Sequence, residues 1–152
     1  MAHVRKQVRD EVATRLGTID ALAEVTSNRG GDLLLSHLPA AVVQTLVERS
    51  GQATKAAYGV EPLERRTIQL AVVVVLDAEM EELDDAADAL AAAIEPVVAE
   101  DGRLGGIAKR VDYVGMDLDV QRDEDGDRWF GFMALEWEVE VWTARGTPET
   151  AR

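Results

Sequence analysis

Between Trp129 and Thr143 the chain reads WFGFMALEWEVEVWT, and its residue types alternate with a period of two. Met133, Leu135, Trp137, Val139 and Val141 fall on one side, and Ala134, Glu136, Glu138 and Glu140 on the other. A strand returns side chains to the same face every second residue, so this segment is a half-buried β-strand with carboxylates along its outer face. Like charges about 7 Å apart along a strand repel, and each needs water or a basic partner. The acidic face therefore meets solvent or meets another chain.

The length of 152 residues fits a single domain spanning 1–152. A hydrophobic fraction of 47% supports a sizeable core. With no Cys, disulfides and thiolate metal sites are excluded. His3 and His37 are the only histidines, which argues against a histidine-rich metal site. The net charge of −13 argues against a protein that grips a nucleic-acid backbone. The opening MAHVRKQVRDEV is charged rather than apolar, unlike a secretory signal. The apolar run Leu70 to Leu76 is far too short to span a bilayer. The expectation is a soluble product that contacts no membrane and stays where it is made.

Periodicity assigns the elements. Val4, Val8, Val12 and Leu16 recur every four residues among charged neighbours and predict a first helix that stops near Gly17. Ile19 to Leu38 is open to a short helical turn and a strand around Ala23 to Asn28, with Asn28, Gly30 and Gly31 marking a turn or loop. A strand over Ala40 to Arg49 follows Pro39, and a second over Arg66 to Leu76 reads RTIQLAVVVVL. Its second face turns apolar at Ala71, Val73 and Val75, which predicts a central strand covered on both sides. The connection Ser50 to Glu64 is long for a hairpin, and its Ala, Gly and Tyr58 suit a segment that orders on a partner.

A long helix is expected next, with Asp77 near its N-cap and Glu79, Glu81 and Glu82 at the positive end of its dipole. Leu83, Ala87, Leu90, Ile94 and Val97 or Val98 form its apolar stripe, and Pro96 should kink or end it. A helical turn around Leu104 to Lys109 leads to a strand with Val114, Met116, Leu118 and Val120 on one face. Tyr113, Asp117 and Asp119 take the other. Gln121 to Arg128 is then a hairpin turn into the final strand. The fold class is α+β: a mostly antiparallel sheet of four to five strands with helices packed on one face.

Motifs of chemistry are weak. Gly30-Gly31 lacks the lysine and spacing of a phosphate loop. DEDGD resembles part of a calcium loop but lacks its spacing and closing bidentate Glu, so an acidic hairpin tip is the better reading. The carboxylates of Glu79 to Asp88 sit on a helix and read as a solvated face. Ser27, Ser36 and Ser50 have no GxSxG context, and His37 has no partner at readable spacing. No catalytic residue, metal site or cofactor is expected, and the protein is not expected to be an enzyme.

The phrases HVRKQVRDEVATRLG, LPAAVVQTLVE, RRTIQLAVVVVLDAE, LDDAADALAAAIE, LGGIAKRVDYVGMDLDV and ALEWEVEVWT together resemble the tail terminator proteins of long-tailed phages and gene transfer agents. These are relatives of the lambda-type minor tail protein U. The resemblance covers roughly residues 3 to 143. It implies a small subunit of a hexameric ring that caps the tail tube, halts its polymerisation and joins the tail to the head connector or stopper protein. It also implies assembly in the host cytoplasm, a place at the head-proximal end of the virion tail, and DNA passing through the ring without specific binding. The segment Ala21 to Leu38 and the acidic hairpin tip depart from the pattern. The interface residues expected here are Tyr58, Arg65, Arg66, Glu136, Glu138 and Glu140, the glutamates meeting the arginines across strands or subunits. The alternatives are another neck ring component, or a small acidic dimer that binds a ligand.

Overall fold

The first helix, α1, spans Val4–Leu16 in the computed structural model, which describes residues 2–27, 37–54, 59–124 and 126–152. The four residues of its stripe, Val4, Val8, Val12 and Leu16, are all fully buried. Each contributes on the order of 1.5–3 kcal/mol through burial, which outweighs the modest helix propensity of valine. His3 caps the helix: its Nδ1 accepts the backbone N–H of Arg5 at 3.1 Å.

The remaining elements follow in the order β1 (Glu24–Thr26), β2 (Ala40–Gln52), β3 (Leu63–Glu79), α2 (Met80–Ala99), a 3₁₀ turn (Leu104–Gly106), β4 (Arg110–Arg122) and β5 (Arg128–Ala144). They build one five-stranded sheet in the order β1-β2-β3-β5-β4. β1 runs parallel to β2 and every other pair is antiparallel. The expected α+β class holds, and β3 is the central strand.

Both helices cover the same sheet face. The core there joins the α1 stripe to Ala41 and Val43 of β2, Ile68, Leu70, Val72 and Val74 of β3, and the inner row of β5. That row, Met133 to Val141, is buried throughout, with Trp137 1% exposed. α2 adds Leu83, Ala87, Leu90, Ile94 and Val98. Gly131 lies where a Cβ would stand 3.1 Å from Leu76 and 3.4 Å from Leu83, so its lack of a side chain lets α2 begin tight against the sheet.

The strands are longer than period-two patterning predicts. Ser50 to Gln52 still pair with Glu64 to Arg66, so the two ends of the expected long connection belong to the β2–β3 ladder. β3 runs on to Glu79, paired with Arg128, so Asp77 is a strand residue and Glu79 occupies the N-cap of α2. Pro96 does not end α2, which continues three residues to Ala99. Its missing N–H falls in the last turn, and fully buried Val98 holds that turn on the core.

The larger correction is in β4. A bulge between Tyr113 and Gly115 sets Tyr113 opposite Trp137 and Met116 opposite Leu135. Tyr113 therefore shares the helix-side face with Met116, Leu118 and Val120, while Val114 is thrown out to 60% exposure. The bulge reverses the expected placing of Tyr113 and Val114. The tyrosine packs edge-on against Trp137, with centroids 5.5 Å apart and planes at 62°.

Trp137 therefore sits at the junction of α2, β5 and β4. Replacing it by Ala is expected to cost about 3–5 kcal/mol of folding stability. A urea denaturation midpoint lowered by less than one-tenth would show that the surrounding side chains close the cavity.

Candidate assembly surface

Register and burial place each expected interface residue. Glu136, Glu138 and Glu140 project from β5 onto the sheet face opposite the helices, in register with Ala71, Gln69 and Thr67 of β3. They are not three equivalent free carboxylates. Glu136 Oε2 accepts a hydrogen bond from the Gln69 side-chain amide at 3.3 Å. Glu140 accepts from Trp142 Nε1 at 2.7 Å and lies 3.6 Å from the Arg110 guanidinium, which also pairs with Asp112 at 2.6 Å. Glu138 is the exposed member and stands directly opposite Asp112 of β4. Like charges directly opposite across a ladder repel, and the Arg110 guanidinium on Asp112 offsets part of that repulsion.

The two arginines face apart. Arg65 is opposite Gly51 and Trp142 and shares the face of the glutamates. Arg66 points to the helix side, where it donates to Thr143 Oγ1 at 2.9 Å, Glu48 at 3.3 Å and Glu64 at 3.1 Å. Its side chain is 12% exposed. An arginine so enclosed, with three partners in its own subunit, is a structural tie rather than a partner for Glu136–Glu140. For Arg66 the expected pairing within the subunit is corrected accordingly: the row meets Gln69, Arg110 and Trp142, and Arg66 meets a different set, while Arg65 shares the face of the row. Adjacent strand residues always diverge, so Arg65 and Arg66 could not both have served one surface. Tyr58 lies outside the described residues.

The helix-free face also carries a shallow trough of about 420 Å³, lined by Val47, Arg49, Thr67, Gln69, Val114 and Glu138. Its apolar walls come from two bulges. One is the Tyr113/Gly115 bulge of β4; the other lies between Thr45 and Glu48 of β2 and exposes Leu46 at 44% and Val47 at 46%. Both bulged strands have an open edge. β4 is the last strand of the sheet, and β1 pairs only with Ala40 to Val42, so the rest of β2 has no outer strand among the described residues. Five large exposed apolar side chains thus gather at the two sheet edges: Leu46, Val47, Tyr113, Val114 and Met116. Alternation alone hides such residues, because a bulge adds one residue to one strand and leaves no compositional mark.

A third cluster was not anticipated from the sequence. Asp101 accepts the backbone N–H groups of Arg103, Leu104 and Gly105 at 2.8–3.1 Å, and Arg15 of α1 grips it at 3.2 Å. Glu11 holds the same guanidinium at 3.0 Å. The Arg15 hydrogen bond and the backbone N–H groups of Arg103 and Gly105 hold the Asp101 carboxyl far below the usual carboxylate range. This ties α1 to the turn that feeds β4. The run Asp101-Gly102-Arg103-Leu104-Gly105-Gly106 carries a turn signal, but its docking on Arg15, 86 positions away, has no local signature.

No group of three or more His, Cys, Asp or Glu residues able to hold a metal ion occurs among the described residues, and no helix among them is long and apolar enough to cross a membrane. No protein family and no curated protein matches the chain. Among solved structures, a chain of one titled "Virion of native gene transfer agent (GTA) particle" is similar at 19% identity, over 91% of this chain and 92% of that one, with a TM-score of 0.32. At that degree of superposition the likeness decides neither fold nor function.

The Asp101 tie has a pH signature. Its folded pKa lies below the unfolded value, so its stabilisation is complete above about pH 4 and fades as pH falls towards the folded pKa. Asp101→Asn is expected to cost about 1 kcal/mol at pH 7, towards the low side for a capping residue because the group is well exposed. Melting curves of the two proteins should converge as pH falls below about 4. A gap that stays constant down to pH 2 would remove the charge from the explanation.

Proposed function

We propose that this chain is a non-enzymatic virion protein of a long-tailed phage or gene transfer agent. In this reading it is the tail terminator: a ring, six-membered in the family it resembles, that caps the tail tube, stops its polymerisation and joins it to the head connector. The observation that carries the reading is the near-complete run of phrases resembling that family, from residue 3 to 143. Physical features suit it. A ring subunit needs a rigid scaffold, which a single sheet with both helices on one face provides. It also needs contact surface on two sides, and Leu46 and Val47 at one edge of the sheet and Tyr113, Val114 and Met116 at the other are exposed apolar side chains. A net charge of −13 suits a wall past which a DNA duplex slides, because acidic side chains cannot release counterions from phosphate.

The test is deletion of the gene in the particle that encodes it. Headless particles with overlong tail tubes are the expected outcome. Tails of normal length that fail to join heads would move the assignment to another neck component, and intact particles would remove the virion role.

A further inference from the structure

The two open edges of the sheet carry opposite charge. Along β2 lies α1, which carries Arg5, Lys6 and Arg9 against Asp10 and Glu11, its Arg15 being held by Glu11 and Asp101 beside the C-terminal end of α2. Arg9 donates to Thr45 Oγ1 at 2.7 Å and Arg5 lies 3.9 Å from Glu48, which fixes these cations beside the bulged half of β2. On the other sheet face the same edge presents exposed Arg49 next to Val47. The far side has the reverse sign. α2, packed over β3 and β5, contains six carboxylates and no Lys or Arg. β4 itself presents exposed Asp112, Asp117 and Asp119 on the face away from the helices, against one arginine there, Arg110. Its Arg122 lies on the helix side, so the acidic excess of this edge comes mainly from α2. The opposition therefore holds on both faces: α1 against α2 on the helix side, Arg49 against Asp117 and Asp119 on the other.

We propose that copies of this chain join head to tail, the β4–α2 side of one against the α1–β2 edge of the next. The inference rests on the ring reading and specifies its joint. A symmetric contact would set one edge against its own copy, carboxylates on carboxylates at β4 or cations on cations at α1. Only the head-to-tail arrangement sets unlike charges together, and a contact between two different patches propagates until the ring closes. It buries the exposed apolar residues in the same step: Val114 and Met116 from one copy, Leu46 and Val47 from the next. The bulges keep the joint from running on as a continuous β-ladder, because each interrupts the regular row of N–H and C=O groups at an open edge. The contact is therefore made by side chains, with charge choosing the orientation.

The experiment is sedimentation velocity on the purified full chain and two charge-reversed variants. One carries Arg5→Glu, Lys6→Glu and Arg49→Glu; the other carries Asp117→Arg and Asp119→Arg. All five side chains are exposed, so both variants should melt close to wild type. The wild type is expected to self-associate, more strongly at low salt. Each variant alone should sediment as a monomer, because on the helix-free face position 49 now meets positions 117 and 119 with like sign. An equal mixture should assemble again, because alternating copies restore the opposition at every joint. A wild type that stays monomeric at every concentration overturns the proposal, as does a variant that associates alone or a mixture that does not assemble. Should a reversed form fail to fold, Arg5→Gln with Lys6→Gln and Asp117→Asn with Asp119→Asn replace it. Each is then expected to raise the dissociation constant at least ~10-fold, and an unchanged constant counts against the joint. Overlong tails on gene deletion combined with a failed mixture would overturn this joint alone; normal tails would overturn the terminator reading.

Discussion

The fold depends on the inner row of β5. Met133, Leu135, Trp137, Val139 and Val141 lie between β3 on one side and β4 on the other, and α2 packs over β3 and β5. Because these residues alternate strictly with Ala134, Glu136, Glu138 and Glu140, a slip of one residue would place Trp137 in water and glutamates in the core. The cost of that exchange fixes the register of the strand against both neighbours. β5 is also the longest partner available to β3, matched to it from Leu63–Ala144 to Glu79–Arg128. The other elements join this pair, which makes the C-terminal third of the chain the organising part of the structure.

What could be read from the sequence is what obeys a fixed period. The α1 stripe repeats every four residues without interruption, and all four members are buried. The inner row of β5 repeats every two, with the same outcome. Patterning failed where the period breaks. One extra residue at Tyr113–Gly115 moves Tyr113 to the helix side and Val114 away from it, and composition gives no warning because both are ordinary strand residues. Element ends were also misplaced, since β3 continues through Asp77, a residue that local chemistry assigns to a helix cap. Arg128 reaches back to Asp77 at 3.0 Å, a cross-strand pair that keeps the carboxylate in the ladder.

The candidate surface was less legible than the fold, for a related reason. Whether a carboxylate is free depends on residues distant in sequence. Glu136 is tied to Gln69 and Glu140 to Arg110, while Glu138, between them, is left exposed. The C-terminal segment shows the same dependence. The Pro148 carbonyl accepts the Val4 N–H at 2.8 Å, and the Glu149 carbonyl accepts from the Gln7 side chain at 2.7 Å. The end of the chain thereby secures the first turn of α1, and nothing local in TPETAR announces it.

A surplus of negative charge and a segregation of charge are different properties with different consequences. A net charge of −13 spread evenly would repel other copies in every orientation and favour the isolated subunit. Here Arg5, Lys6, Arg9 and Arg49 collect at one edge of the sheet, while the excess of carboxylate sits on α2 and β4. In the proposed joint two copies would repel in most orientations and attract in one. Repulsion elsewhere on the surface raises the selectivity of that one approach, since each mismatched encounter places like charges together. The exposed valines, leucine and methionine at the bulges supply contact area but no direction, because apolar burial is non-directional. In the proposed joint orientation comes from the charges, and the bulges favour that, since an unbroken edge strand would allow pairing with any other exposed edge.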